Sequence, residues 1–429
     1  MLFKDITIID ENFEVKQHMY VGVKDKTIAY VGDSMPAEDF GEVYEGKNRL
    51  LSPAFYNAHS HLPMFLLRGY GENLPLAEWL NNRIFPFEAH LTGKDQYYGA
   101  LMGAAEMLRY GIAGATEMYL DQDDDAQAMA DSGIKANVSQ SVTCFNDASY
   151  YDLPVYQETL RAIEKFNGAY DGRVKVEFAL HSEYTTTEKV ASEMAEACAK
   201  AGSSMHVHVS ESLGEVEACR QRHGGKSPVK YLADCGLFDV PTVAAHCVHV
   251  DEEDIAILHD KKVTVATNPK SNAKLASGIC PVTKLLDGGV NVAIGTDSVA
   301  SNNNLNMIEE MRFFNLLQKA VNYDPTVITP SQTLYAATRA GALAQGRKDC
   351  GLVKEGFRAD LVVFDTDKVY MKPEYNVLNN LIYAASGNDV VMTMVDGKVL
   401  YKDGLYTTLD IEKIYAECEK SRKRILSEL

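Results

Sequence analysis

Several features that would settle the class of this chain at once are missing from it. No CxxC pair occurs among its eight cysteines, which are scattered at positions 144, 198, 219, 235, 247, 280, 350 and 418. That scatter excludes a zinc knuckle and a disulfide framework, and it fits the reduced, buried thiols of a cytoplasmic protein. No apolar run is long enough to span a bilayer, and Met1 to Val15 mixes charged with apolar residues, so neither a membrane span nor a signal peptide is expected. Positive charge is in deficit. With 42 Lys and Arg against 60 Asp and Glu, the formal charge of -18 disfavours a nucleic-acid partner. There is no fixed-period repeat and no low-complexity tract. What remains is an ordinary globular composition, 46% hydrophobic and 24% charged, over 429 residues. That is too long for one small core, although an α/β barrel absorbs about 250 residues as one domain.

Strand and helix signals divide the chain into three stretches. Phe3 to Ile9, His18 to Val23 and Thr27 to Val31 read as short strands, and strand texture returns at Ala359 to Phe364, Asp389 to Val395 and Lys398 to Tyr401. Asp396-Gly397 between the last two marks a hairpin turn. Between these ends lie eight candidate strands. They finish at His61, Glu117, Gln140, His181, His208, His246, Thr267 and Asp297, and they alternate with amphipathic helices such as Lys189 to Ala201 and Asp251 to Asp260. Eight strand-helix units predict an α/β fold of the (β/α)8 TIM-barrel type, spanning residues 53–350. Segments 1–52 and 351–429 are expected to join as one small β-sandwich domain, ending in a charged surface helix from Ile411 to Leu429.

Seven of the eleven histidines fall at or just past a proposed strand end, the face on which a barrel builds its active site. His59 and His61 stand two apart on a strand, so both side chains point the same way and can grip one ion. His206 and His208 repeat the spacing, His246 ends the sixth strand and Asp297 the eighth. Singly, each has an ordinary explanation: a polar pair on a strand, a hydrogen-bonded core histidine, a helix cap. Together they place costly polar groups at one end of at least six strands, which a shared ligand would account for. Imidazoles with one carboxylate and an open position describe a catalytic zinc-type site, with iron(II) or manganese(II) as alternatives.

The stretches Ser52 to His61, His208-Val209-Ser210-Glu211-Ser212, Ala245 to His249, Asn268 to Leu275 and Gly295 to Asn304 resemble the amidohydrolase superfamily. They are most similar to its 5-methylthioadenosine/S-adenosylhomocysteine deaminase branch, which has triazine chlorohydrolases as cousins. The likeness runs almost end to end, including Leu66 to Gly69 and Ala359 to Val362. It implies a single divalent ion held by His59, His61, His208 and Asp297, because the end of the fourth strand lacks the lysine that two-metal members carry. His206 would support the site structurally, and His249 would stand behind it.

The resemblance also implies a chemistry. Glu211, three residues after His208, would protonate a ring nitrogen while hydroxide attacks the amine-bearing carbon. His246 would steady the developing oxyanion, and Asp297 would carry a proton from the water to the leaving amine. Glu88, His181 and Gln140 would contact the substrate, a small heterocyclic amine. Two departures stand out. Thr267 occupies the place where relatives commonly have histidine, and Gln140 and Tyr156 stand where relatives acting on S-adenosylhomocysteine place arginines for its carboxylate. Lys270 and Arg161 are the other cations that could reach a charged tail. The competing readings are an aminohydrolase or dechlorinase for a triazine, pterin, guanine or cytosine ring, and a barrel scaffold without activity. A zinc-type nucleic-acid deaminase is disfavoured: His181-Ser182-Glu183 fits H-x-E, but no P-C-x-x-C follows. Self-association is expected of such barrels, although no residue pattern marks an interface.

Overall fold

The eight runs between residues 55 and 294 become parallel strands because each is buried on both faces, as a sheet wrapped in helices requires. In the computed structural model, which describes residues 1–429 apart from the side chains of Leu76 and Ala77, they are β1 (Phe55–Ser60), β2 (Ile112–Tyr119), β3 (Lys135–Val142), β4 (Val174–Ser182), β5 (Met205–Val209), β6 (Thr242–His246), β7 (Thr264–Thr267) and β8 (Asn291–Ile294). They pair in chain order from β1 to β8. A single parallel bridge between Ser60 and Asp297, with the Asp297 amide donating to His59 O at 3.0 Å, closes the ring. The outer helices begin where their caps say they should. Thr92 and Asp95 form a capping box ahead of Gly93–Arg109, Thr187 caps Glu188–Ala201, and Asp251 with Asp254 boxes Glu252–Asp260. Among the described residues no helix is long and apolar enough to cross a membrane. All eight cysteines are free and buried.

The terminal segments meet in one continuous nine-stranded sheet, whose seam is Arg49–Pro53 running antiparallel to Leu361–Asp365. Alternation gives this sheet two apolar faces. Leu51, Leu361 and Val363 join Phe3, Ile6, Ile8 and Val21 in a core of its own, whereas Leu50, Val362 and Phe364 belong to the large core shared with the barrel helices. The charged helix Ile411–Glu428, grouped above with the β-domain, packs instead on the barrel helix Gly93–Arg109. Its buried stripe, Ile414, Cys418, Ser421 and Ile425, recurs every three or four residues. Arg424 fastens its far end to Asp95 at 2.6 Å and to His90 O at 3.0 Å.

At the end of the barrel opposite the histidines, a buried ion cluster ties barrel to sheet. Lys135, at the start of β3, meets Asp396 at 2.8 Å and also contacts Asp360, which accepts from Tyr56 Oη as well. All four are at least nine-tenths buried. Burial works against the charge of Lys135, but the two aspartates outweigh it and hold the ammonium above its usual range. Lys135→Met would leave Asp360 without a cation and Asp396 with Arg358 alone, 3.6 Å away. Such a loss costs about 3–5 kcal/mol, so the midpoint of denaturant unfolding is expected to fall while the metal-site geometry stays intact. An unchanged midpoint would show that the cluster does not hold the two parts together.

Candidate metal centre

The histidines converge because β1 and β5 present alternate residues to the barrel axis. His59, His61 and His208 bring ligand atoms within 4.8 Å of one another, and so do His59, His246 and Asp297. Backbone carbonyls fix two of the rings. His61 Nδ1–H donates to Met118 O at 2.5 Å and His208 Nδ1–H to His181 O at 2.6 Å, which leaves both Nε2 lone pairs free, 3.3 Å apart. His59 Nδ1 shares a 2.8 Å hydrogen bond with His206 Nε2, and the fully buried His59 Nε2 has no hydrogen-bond partner. Asp297 Oδ1 stands 3.4 Å from His61 Nε2 and 3.7 Å from His59 Nε2. Burial, reinforced by neighbouring imidazoles, pushes His59 and His208 well below the usual histidine range, and it lowers His61 although Asp297 opposes the shift. Three neutral imidazoles aimed at one carboxylate, with outer hydrogen bonds setting their tautomers, form a donor set that fits a divalent ion.

Asp297, His246 and the residue before Glu211 sit on backbone that ordinary residues avoid. Asp297 has φ 60°, His246 φ 74° and Ser210, just before Glu211, φ 51°. Surrounding bonds must hold such left-handed positions in place. Asp297 accepts from Ser271 Oγ at 2.5 Å and from the Ser298 amide at 2.7 Å. Glu211 is held through Glu215, whose carboxylate accepts the amides of Ser210 and Glu211 at 2.9 and 2.7 Å. Glu211 Oε1 accepts from Ser277 Oγ at 3.3 Å, and His249 Nε2 donates to Ser277 O at 2.7 Å. Burial raises the Glu211 carboxyl above its usual range. Its other oxygen lies 3.8 Å from His246 Nε2, while His246 Nδ1 donates to Asn272 Oδ1 at 2.8 Å. Burial opposes a charge on His246, but Glu211 and Asp297 outweigh it and lift its imidazole above the usual range.

The sequence model of the amidohydrolase family matches residues 50–400. The chain belongs to that family. A 5-methylthioadenosine/S-adenosylhomocysteine deaminase from Thermoanaerobacter pseudethanolicus is 38% identical over 429 residues, covering 99% of each protein. An adenosine deaminase from Xanthomonas campestris, solved with bound zinc, superposes with a TM-score of 0.92 at 31% identity, covering 99% of this chain and 98% of that one. An atrazine chlorohydrolase from Arthrobacter aurescens shares the fold, with a TM-score of 0.90 at 20% identity over 98% of this chain and 99% of its own.

Within this amidohydrolase the residues singled out by sequence lie at different distances from the cluster. His59, His61, His208, His246, Glu211 and Asp297 lie together. His181 borders them with its ring 5.0 Å from that of His208, and burial lowers its imidazole to about 4. Glu88 stands further out, on the helix Phe85–Glu88, where Tyr119 Oη donates to it at 2.8 Å and burial lifts its carboxyl to about 7. Gln140 is not brought to the group. It shares a strand face with Val138 and Val142, which pack towards the helices, and its amide donates to Glu158 at 3.0 Å and accepts from Gln122 at 3.3 Å. Ser271, Asn272 and Ser277 went unassigned in the sequence, although Asn268 to Leu275 was part of the resemblance. Glu215 was readable as the fourth residue of a Ser-x-x-Glu capping box beginning at Ser212.

Proposed function

We propose that the chain hydrolytically deaminates an adenine-type nucleoside, releasing ammonia and the inosine analogue. The observation that carries this reading is the position of Glu211, a buried carboxyl 3.8 Å from His246 Nε2 at the edge of the three-histidine and aspartate cluster, raised by burial above its usual range. Attack on an aromatic C–N carbon requires the adjacent ring nitrogen to gain a proton, and a carboxyl beside the cluster is placed to give it. The deaminase relatives, one of them with zinc, support the same reading.

His59, His61, His208 and Asp297 would hold the divalent ion, zinc by its donor set. When bound, such an ion supplies a hydroxide nucleophile from water near neutral pH. Asp297 takes up the proton of that water. Glu211 gives its proton to the ring nitrogen as the C–O bond forms, and His246 Nε2 faces the growing negative charge on oxygen. Asp297 then returns its proton to the amine, the C–N bond breaks and ammonia leaves. The hydroxyl proton on the new C–O oxygen passes back to Glu211, leaving the ring carbonyl and restoring the acid. His181 borders the ring site, and Glu88 is suited to accept from ribose hydroxyls.

The tail of the substrate is expected to be neutral. Gln140 is spent on the Glu158 carboxylate, Lys270 on Glu309 and Asn304, and Lys274 on Glu72. An amino-acid carboxylate would therefore be desolvated without the charge of Lys270 or Lys274 to offset it, a penalty on the order of 2–5 kcal/mol. Adenosine, 5'-deoxyadenosine and 5-methylthioadenosine are expected to show higher kcat/KM than S-adenosylhomocysteine in an ammonia-release assay. S-adenosylhomocysteine as the best substrate would reverse the tail assignment. Ammonia or chloride released only from a triazine, pterin, guanine or cytosine ring would replace the ring assignment.

A further inference from the structure

Behind the metal centre, the loops after β7 and β8 are joined by one fully buried acid that the reaction does not use. Glu310 lies in the first turn of the helix Met307–Asn322. One of its oxygens accepts the Asn302 side-chain amide at 2.6 Å, and the other accepts the Lys270 backbone amide at 3.1 Å. Each contact leads directly to Asp297. Asn302 Nδ2 also donates to the carbonyl of Thr296, the residue before Asp297, at 2.7 Å. Lys270 precedes Ser271, whose hydroxyl donates to Asp297 Oδ2 at 2.5 Å. Asp297 itself sits at φ 60°, a conformation that its own backbone does not favour. The aspartate thus depends on two loops for its backbone and its side chain, and Glu310 is where those loops are tied.

We propose that Glu310 is a positioning residue: by accepting from Lys270 N and Asn302 Nδ2 at once, it holds Asp297 in the orientation that receives the ion and carries the proton, an inference that rests on the proposed function. The alternative is a buried acid that only fills space and caps a helix. The two differ in what glutamine does at this position. Glutamine matches the size of glutamate and leaves no cavity, but it offers one acceptor oxygen where the site presents two donors. Its NH2 must then face either Asn302 Nδ2 or the Lys270 amide, so one tie breaks whichever way the side chain turns.

The experiment compares zinc-loaded wild type with Glu310→Gln, reading zinc transfer to a chromogenic chelator and, separately, kcat and KM for deamination. Outer partners of a metal ligand typically change affinity or activity about 10–100-fold. Glu310→Gln is therefore expected to release zinc about 10-fold faster or more and to lose a similar factor in kcat, with KM changing less than about twofold. Ser271→Ala should give the same pattern, and the double variant should fall short of the product of the singles, since both act on one aspartate. If Glu310→Gln fails to fold, Asn302→Ala cuts one of the two ties, and zinc release is read there. Wild-type zinc release and kcat in the folded variant would overturn the proposal while leaving the deaminase reading intact. Faster zinc release in a chain that deaminates no purine nucleoside would sustain the positioning role and sink the functional reading.

Discussion

His61→Ala is expected to purify without its ion and without activity, while the wild type carries about one divalent ion per chain, as one closed set of three histidines and one aspartate requires. The ring is fixed by Met118 O at 2.5 Å, and its Nε2 stands 3.3 Å from His208 Nε2 and 3.4 Å from Asp297 Oδ1, two of the three other donors. Removing it leaves a gap in the set. The loss of affinity should exceed the roughly 10–100-fold that follows removal of an outer partner. Metal analysis of both proteins after the same chelator wash is the measurement. Close to two ions in the wild type would point to a binuclear centre, and a His61→Ala variant that kept its ion would remove His61 from the ligand set.

Glu211→Gln is expected to do the opposite: keep the ion and lose about 10²-fold or more in kcat, the usual scale for a positioned proton donor. Glutamine preserves the size of the side chain and can still accept from Ser277 Oγ, which lies 3.3 Å from Glu211 Oε1. It has no proton to give to a ring nitrogen. Substrate binding should change little, so the loss should appear in kcat and not in KM. Near-normal turnover would exclude Glu211 as the acid. Loss of the ion would make Glu211 a ligand instead.

Much of this site was legible before any coordinates, and for a simple reason. Side chains two apart on a strand share a face, so His59 with His61 and His206 with His208 announced pairs that could act together. Eight strand ends rich in histidine and carboxylate, in chain order, pointed to one end of a barrel. The placement of Gln140 was not legible, because its strand position alone does not say which face of β3 looks inward. Val138 and Val142, packed towards the helices, settle that it faces outward with them.

Local order therefore came from the sequence: the strands, the helices and the clustering of histidines at strand ends, with Glu211 singled out by the family resemblance. These follow from neighbours a few residues apart, where periodicity and caps act. The tertiary structure alone decided what depends on distant segments meeting. It gave His208 a carbonyl partner and set His206 behind His59, although both histidines lie on β5. It closed the barrel through Ser60 and Asp297, joined Arg49–Pro53 to Leu361–Asp365 across some three hundred residues, and laid the charged C-terminal helix on the barrel. It also tied Lys270 and Asn302 to Glu310. Hydrogen bonds and burial at long sequence separation leave no periodic trace in the residues that make them, and only the folded chain brings those residues within reach of one another.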